Sequence, residues 1–227
     1  MALILHLDTN TEICSVALAR EGGLLAEQEI SEGFVHASRI TLLIQACLAT
    51  AQYDIQQLDA VALSRGPGSY TGLRVGAATA KGIAYALDIP LIAVDSLHAL
   101  ALAAMTNTPG ADIYGPMIDA RRMEVYLSLY DNEGKCLLKP EARIIDKHSF
   151  SRYFESGKQL IFCGNGAEKC MDLMPDNQAQ RLPILSAARH LIPLAYQQFT
   201  GKIFADLAYF SPLYLKPPNI TKPKKIL

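Results

Sequence analysis

The sequence has no long hydrophobic run and no excess of charge of either sign. Its apolar stretches fall short of the roughly 18 residues that a membrane-spanning helix requires. Lysine and arginine number 21 against 22 aspartate and glutamate, so no chain-wide basic field would recruit nucleic acid. The N-terminal stretch MALILHLDTN lacks the basic region and the cleavage site of a signal peptide. We expect a soluble protein without membrane attachment, in which any RNA contact is local or supplied by a partner.

Cysteine pairs are missing as well. The chain has five cysteines, which are odd in number and widely spaced: Cys14, Cys47, Cys136, Cys163 and Cys170. Neither a CxxC pair nor an HExxH sequence occurs. This pattern fits reduced thiols better than a disulfide framework or a zinc site, and it favours the cytoplasm. We therefore predict no metal site.

The glycine-rich stretch SRGPGSYTGLRVGAATAKG, residues 64–82, lacks the spacing of the known nucleotide loops. It holds five of the fifteen glycines in the chain. A P-loop requires GxxxxGK[ST], which this stretch does not contain. The dinucleotide fingerprint requires GxGxxG, whereas Gly66, Gly68 and Gly72 give GxGxxxG. The stretch also contains no GxSxG nucleophile elbow.

The same stretch contains a ridge of small residues. A helix is predicted from about residue 72 to residue 87, and Gly72, Gly76, Ala80 and Ala84 recur in it every fourth residue. Such a ridge lets another backbone approach closely, because no Cβ or only a methyl group projects from it. Two interpretations remain open: the ridge packs against the sheet of its own lobe, or it contacts a second chain.

The hydrophobic pattern predicts an α/β fold of two related lobes. Three short strands are followed by a helix over residues 36–52 and by alternating strands and helices up to residue 105. After the linker TNTPGAD the pattern partly restarts with the strand IYGPMID. We predict for each lobe a mixed sheet with a three-strand meander covered by helices. The predicted domains are residues 1–108, residues 109–215 and a basic, proline-rich tail at 216–227.

Three segments resemble the TsaB family, once called YeaZ, of the tRNA threonylcarbamoyladenosine pathway: SRGPGSYTGLRVGAATAKGIA, LHLDTNTEICSVAL before it and IDARRMEVYL after it. The resemblance covers nearly the whole chain and is most specific in residues 64–84. It implies an actin-like ATPase fold, related to that of ribonuclease H, and a non-catalytic subunit that works with a catalytic relative, TsaD, and an ATPase, TsaE. We expect tRNA contact only through that complex and a homodimer when the chain is alone.

The resemblance places phosphate-binding turns after the first strand of each lobe. Asp8 ends the first strand and is followed by Thr9 and Asn10, while Asp119 ends the first strand of the second lobe. Neither turn contains the glycine that would let the backbone approach a phosphate closely. We therefore predict that both phosphate-binding turns are degenerate.

The stretch CGNGA stands where the adenosine loop of such a fold would lie, and Gly164 and Gly166 would allow a close turn. The same glycines also fit a purely structural strand-to-helix turn. Together with the two phosphate turns they form a candidate degenerate nucleotide site, at which we expect ATP and Mg²⁺ to bind only weakly or at a shared interface. The histidine pair of TsaD is absent, because His36 is followed four residues later by Ile40.

The candidate partner surface combines the ridge with the helix before it. Its residues are Gly72, Leu73, Gly76, Ala80, Ala84, Ile40, Leu43 and Cys47. We expect two helices from each molecule to form a four-helix contact, for which homodimer and heterodimer compete. The candidate tRNA contacts are cations that provide local charge density: Arg121, Arg122, Lys222, Lys224 and Lys225.

Two other functions remain open. A small ATP-dependent kinase or ATPase would share the actin-like fold, although the turns without glycine and the short chain favour a partner subunit. A nuclease of the ribonuclease H type would share the three-strand meander and would use Asp8 with other carboxylates.

Overall fold

The computed structural model describes residues 2–31, 36–175 and 177–217. Its N-terminal sheet has five strands in the order β3-β2-β1-β4-β5. These strands are β1 (Leu3–Asp8), β2 (Cys14–Arg20), β3 (Gly23–Ile30), β4 (Ala60–Ser64) and β5 (Leu91–Val94). Strand β1 pairs antiparallel with β2 and parallel with β4, so the meander and the crossover strands meet at β1. The predicted meander is confirmed.

The second sheet repeats this arrangement. Its strands are β6 (Ile113–Asp119), β7 (Glu124–Asp131), β8 (Cys136–Ile144), β9 (Leu160–Cys163) and β10 (Ala179–Arg181). They lie in the order β8-β7-β6-β9-β10, with β6 antiparallel to β7 and parallel to β9. The two related lobes are therefore confirmed. Strand β10 was not predicted, because three residues with two polar side chains carry no hydrophobic pattern.

Five α-helices occur among the described residues: α1 (His36–Ala51), α2 (Tyr70–Leu87), α3 (Ser96–Asn107), α4 (Ser151–Glu155) and α5 (Ile192–Thr200). Ser69 caps α2, since its hydroxyl oxygen accepts a hydrogen bond from the Gly72 amide at 3.3 Å. The loop after β9 leads into a 3-10 turn over Glu168–Leu173 and not into an α-helix. None of the described helices is long and apolar enough to cross a membrane.

Helices cover both faces of the N-terminal sheet, so β1 is buried along its whole length. Successive side chains of a strand point to opposite faces. Leu5 and Leu7 therefore lie in the core formed with α1 and α2. Ile4 points the other way and packs in a cluster with Leu191 and with Leu194 of α5.

Helix packing crosses the predicted domain boundaries. Helix α3 precedes the linker, yet its Leu97 and Leu100 pack in one cluster with Tyr114 of the second sheet. Helix α5 lies within the predicted C-terminal domain, but it covers the N-terminal sheet. The chain then stays on the N-terminal lobe, where Ala205 bridges to Leu91 of β5. The predicted assignment of residues 109–215 to one C-terminal lobe is therefore wrong for its last part.

Candidate functional site

The turn after β1 begins with a carboxylate that is buried at a cost. Asp8 is 3% exposed. Its Oδ1 accepts hydrogen bonds from the Ser64 hydroxyl at 2.8 Å and from the Asn10 amide at 3.2 Å. Burial nevertheless raises the pKa of Asp8 to about 6, because the charged form loses its water and the two hydrogen bonds offset only part of that loss. A titratable group kept in such an environment is a candidate functional residue.

Thr9 lies against the first two glycines of α2. Its hydroxyl donates a hydrogen bond to the Gly72 carbonyl oxygen at 2.8 Å. A Cβ added at Gly72 would lie less than 3.0 Å from the Thr9 carbonyl oxygen, and a Cβ added at Gly76 would lie less than 3.0 Å from the Thr9 hydroxyl. These two glycines therefore make room for the turn of their own lobe.

Asn10 is held by the loop that precedes α2. The Ser69 amide donates a hydrogen bond to the Asn10 carbonyl oxygen at 2.7 Å. A Cβ at Gly68 would lie less than 3.0 Å from the same oxygen. The Asn10 side-chain amide has no hydrogen-bond partner among the described atoms, which is a cost of burying this turn. The three candidate nucleotide residues Asp8, Thr9 and Asn10 are thus covered by their own lobe.

The equivalent turn after β6 is exposed. Asp119 is ion-paired with Lys169, and its carboxylate accepts a hydrogen bond from the Arg121 amide at 2.9 Å. Lys169 also donates to the carbonyl oxygen of Arg122 at 2.6 Å. Arg121 and Arg122 both have positive φ angles, 73° and 53°. The lysine therefore stabilises a left-handed turn that leaves both arginines exposed.

In the predicted adenosine loop, atoms of β6 occupy the space beside both glycines. Gly164 has a φ of +90°, and a Cβ there would lie less than 3.0 Å from the Met117 carbonyl oxygen. A Cβ at Gly166 would lie 2.9 Å from the Ile118 carbonyl carbon. Both glycines let the loop after β9 pack directly on β6. This geometry favours their structural interpretation over a nucleotide site.

A cavity of about 510 Å³ lies between the two turns. Residues 10–12 of the first turn, the N-terminal end of α2, the turn after β6 and residues 213–217 line it. Asn165 joins the lobes beside it, since its side chain accepts from the Asp119 amide at 3.0 Å and donates to the Glu12 carboxylate at 2.8 Å. The residues present do not fit ATP with Mg²⁺, because Asp8 and Thr9 are buried, Gly164 and Gly166 pack against β6, and Asp119 is paired with a lysine.

Histidines and cysteines at the site have structural partners or are buried. His36 begins α1, and its Nε2 lies 2.9 Å from the Thr11 carbonyl oxygen. All five cysteines are free thiols, as predicted. Burial raises the pKa of Cys14 and of Cys47 to about 11, which favours the neutral thiol over the thiolate at neutral pH. Among the described residues, no group of three or more potential metal ligands occurs.

The ridge of α2 faces inward. Ala80 and Ala84 belong to the same core cluster as Ile40 and Cys47 of α1. Leu43 is only partly buried. The other predicted partner residues are buried within their own lobe: Gly72, Leu73, Gly76, Ala80, Ala84, Ile40 and Cys47. For these seven, direct contact with a second chain is wrong, because the lobe's own turn and core already fill the space beside them.

The outward faces of the same two helices were not predicted. They carry small residues, such as Ala78 and Gly82 of α2, beside large apolar ones. Tyr85 of α2 is 81% exposed and Leu42 of α1 is 51% exposed. Apart from its chain neighbours and the backbone of α2 itself, no described atom lies within 4 Å of a Cβ built at Gly82. The sequence did contain this stripe, since residues 78, 82 and 85 also recur at helical spacing.

The predicted tRNA contacts fall in two places. Arg121 and Arg122 are exposed on the turn after β6. The three lysines of the tail, Lys222, Lys224 and Lys225, lie outside the described residues. The second turn is therefore the part of this prediction that the structure places at the surface.

Known proteins match nearly the whole chain. The family model "TsaD: tRNA N6-adenosine threonylcarbamoyltransferase" matches residues 23–222. The protein TsaB of Haemophilus influenzae, named as a tRNA threonylcarbamoyladenosine biosynthesis protein, is 42% identical over 93% of this chain and 82% of its own length. TsaB of Escherichia coli is 33% identical, with 94% of each chain covered.

Solved structures agree with these matches. YeaZ from Pseudomonas aeruginosa has a TM-score of 0.78 and 31% identity, and the comparison covers 95% of this chain and 100% of YeaZ. An activator of 2-hydroxyisocaproyl-CoA dehydratase from Clostridium difficile, solved with bound ADPNP, has a TM-score of 0.53 at 10% identity, which shows the fold alone. The two-lobed actin-like fold is thereby confirmed. The chain belongs to the TsaB family of tRNA threonylcarbamoyladenosine biosynthesis proteins.

Proposed function

We propose that the chain is a non-catalytic cytoplasmic subunit of the machinery that forms threonylcarbamoyladenosine in tRNA. In this proposal it binds a catalytic TsaD-type relative and works together with TsaE. The name of its TsaB relatives and the match to the TsaD family model support the pathway. The observation that supports the non-catalytic role is the buried start of the first turn, because Asp8 and Thr9 are only 3% and 1% exposed and are not accessible to a phosphate.

The outward face of α1 and α2 is the proposed partner surface. The two helices lie side by side on one face of the N-terminal sheet. Leu42 and Tyr85 expose large apolar areas there, while Ala78 and Gly82 allow a close approach of another helix. A TsaD-type partner of the same fold would present two related helices, and a second copy of this chain would present the same two. Heterodimer and homodimer would then compete for one surface.

The substitution Gly82→Leu tests this surface. A leucine at residue 82 has free space in the isolated chain and favours the helix by about 0.5–1 kcal/mol relative to glycine. At a close helix contact the same side chain would be overpacked, at a cost of roughly 1–3 kcal/mol or more. We expect a folded chain of equal or higher stability with at least about tenfold weaker binding to the TsaD-type protein, measured by titration calorimetry.

The matched control is Gln197→Leu, which adds a leucine at an exposed position of α5. It should bind the partner as the native chain does. Light scattering after gel filtration should show that the native chain and Gln197→Leu form the homodimer equally well and that Gly82→Leu forms it less well. A native chain that does not bind the TsaD-type protein would overturn the proposed function, whereas tight binding by Gly82→Leu would overturn only the proposed surface.

Contact with tRNA is proposed to occur only within the complex. Arg121 and Arg122 are the candidate residues of this chain, because they are exposed cations on the turn after β6. The formal net charge of −1 gives the isolated chain no general attraction for RNA.

A further inference from the structure

The turn after β1 fixes α2 at a single position along its axis. Thr9 contacts two glycines that are one helical turn apart: its hydroxyl donates to the Gly72 carbonyl oxygen at 2.8 Å and lies beside the Cα of Gly76. On the same side, Asn10 accepts the Ser69 amide at 2.7 Å at the start of the helix. The helix is therefore held through its backbone at three successive points.

The flanking residues do not permit another register. A helix advances 1.5 Å and rotates about 100° for each residue. A shift of one residue in either direction would exchange each glycine for a neighbour that carries a side chain, such as Leu73 or Ala77. Since even one Cβ at Gly72 or Gly76 would lie less than 3.0 Å from Thr9, the shifted helix does not fit. Thr9 thus determines which residues of α2 point outward.

The opposite end of α2 is held mainly by side-chain contacts. Ala80 and Ala84 pack against α1 and the sheet through methyl groups, in a surface without directional contacts. Lys81 donates hydrogen bonds to the carbonyl oxygens of Ala208 and Phe210, but its long side chain is flexible. The contacts between the backbone of α2 and the first turn therefore lie at the Thr9 end of the helix, away from the outward stripe at residues 78, 82 and 85.

We propose that Thr9 is a positioning residue for partner recognition, which presents the outer face of α2 at the angle that a helix of the partner requires. This proposal rests on the proposed function and identifies how its surface is held. The turn that would contact phosphate in a nucleotide-binding relative is here an internal support of a protein-binding helix. Thr9 itself is 1% exposed and does not touch the partner.

Exchanging the interacting groups across the contact tests the proposal. Gly76→Ala places a methyl group against the Thr9 hydroxyl, whereas the Thr9 Cβ would be 3.5 Å from that methyl group, an ordinary distance. Thr9→Ala removes the hydroxyl, so the double variant Thr9→Ala/Gly76→Ala should fit again. Affinity for the TsaD-type protein is measured by titration calorimetry, and the rigidity of α2 in the free chain by amide hydrogen exchange.

The expected results form a pattern that follows the fit between residues 9 and 76. Gly76→Ala should weaken partner binding at least about tenfold and speed exchange in α2. Thr9→Ala should weaken binding roughly three- to tenfold, because one hydrogen bond is lost. Thr9→Ser keeps the hydroxyl and should restore binding to within about twofold. The double variant should bind more tightly than Gly76→Ala alone.

Each deviation from this pattern has one meaning. If the native chain binds and Gly82→Leu does not, but Thr9→Ala binds as tightly as the native chain, the surface is right and the positioning role is wrong. A folded double variant that binds no better than Gly76→Ala overturns the role as well. Should Gly76→Ala fail to fold, the comparison of Thr9→Ala with Thr9→Ser decides the question alone.

Discussion

The two lobes share one sheet topology but use the turn after the first strand in opposite ways. In the N-terminal lobe, Asp8 and Thr9 lie beneath α2, a helix of 18 residues. In the C-terminal lobe, Asp119 is exposed. Strand β9 corresponds to β4, and the element that follows β9 in place of α2 is a 3-10 turn of 6 residues. A long helix must bury its inward face, and the first turn fills part of that face. Where the helix is short, the turn is left in solvent.

The first helix of each lobe shows the same difference. Helix α1 has 16 residues, whereas α4, at the corresponding position after the meander, has 5. Within the described residues, only the N-terminal lobe can therefore present two adjacent long helices to another protein. The C-terminal lobe instead exposes a polar turn with two arginines. We infer that the duplicated lobes have different roles: the first lobe contacts the partner protein, and the second lobe provides polar contacts to tRNA.

The largest expected effect comes from Gly72→Ala, which forces the covered turn and its helix apart. The added Cβ would lie less than 3.0 Å from the Thr9 carbonyl oxygen, and a backbone oxygen cannot rotate away as a side chain can. We expect the free energy of unfolding to fall by about 3 kcal/mol or more, measured by urea denaturation. The control Gly82→Ala, on the open side of the same helix, should raise it by about 0.5–1 kcal/mol.

Equal stability of Gly72→Ala and the native chain would mean that the turn moves aside easily. The first turn would then resemble the second more closely than the structure indicates, and the contrast between the lobes would be lost.

The next effect concerns the two aspartates that end β1 and β6. Asp8 has a folded pKa of about 6 against its usual 3.8, so the folded chain holds this proton more tightly than the unfolded chain does. The contribution of Asp8 to stability is therefore most favourable below pH 4, falls as the pH rises to about 6, and is constant above that. Replacing Asp8 by Asn removes this penalty while keeping an acceptor for Ser64. We expect a gain on the order of 2–3 kcal/mol at pH 7, which disappears near pH 4.

The difference between the variant and the native chain isolates this contribution. Burial lowers the pKa of His6 to about 4, which acts in the opposite direction as the pH falls below 6.5, but it is common to both proteins. Asp119→Asn is the matched control, and it should give no such gain because Asp119 is exposed and paired with Lys169. Steady-state phosphate release from ATP should stay at background in all three proteins. A turnover that Asp8→Asn abolishes would favour the kinase or ATPase alternative.

The sequence was sufficient for the sheets because their signal is local. Apolar runs bounded by turn residues identified the three-strand meander and the strands up to residue 105, and the restart at residue 113 identified the duplication. The direction of the small-residue ridge was not predictable in the same way. Gly72 and Gly76 are spaced correctly for a contact with another chain and for a contact with Thr9, and only the three-dimensional path of the first turn decides between them.

The packing of α3 and α5 across the domain boundary was missed for a related reason. The sequence identifies an apolar helix, but it does not identify which of two sheets the helix covers. The candidate nucleotide residues show the same limit. The absence of glycine after Asp8 predicted a degenerate turn, whereas its burial beneath α2 depends on contacts between residues about sixty positions apart, such as Thr9 with Gly72.

The smallest expected effect comes from Arg121 and Arg122 on the exposed turn. If the second lobe contributes polar contacts, the double variant Arg121→Gln/Arg122→Gln should weaken tRNA binding by the assembled complex only a few-fold, because many other phosphate contacts remain. The slope of log affinity against log salt should become shallower by roughly one to two. The matched control is Lys139→Gln/Lys147→Gln, which removes the same charge from exposed positions of the same lobe. Filter binding over a salt series measures both variants. Equal slopes for the two would mean that the exposed turn is solvated surface, and the division of work between the lobes would then rest on the helices of the first lobe alone.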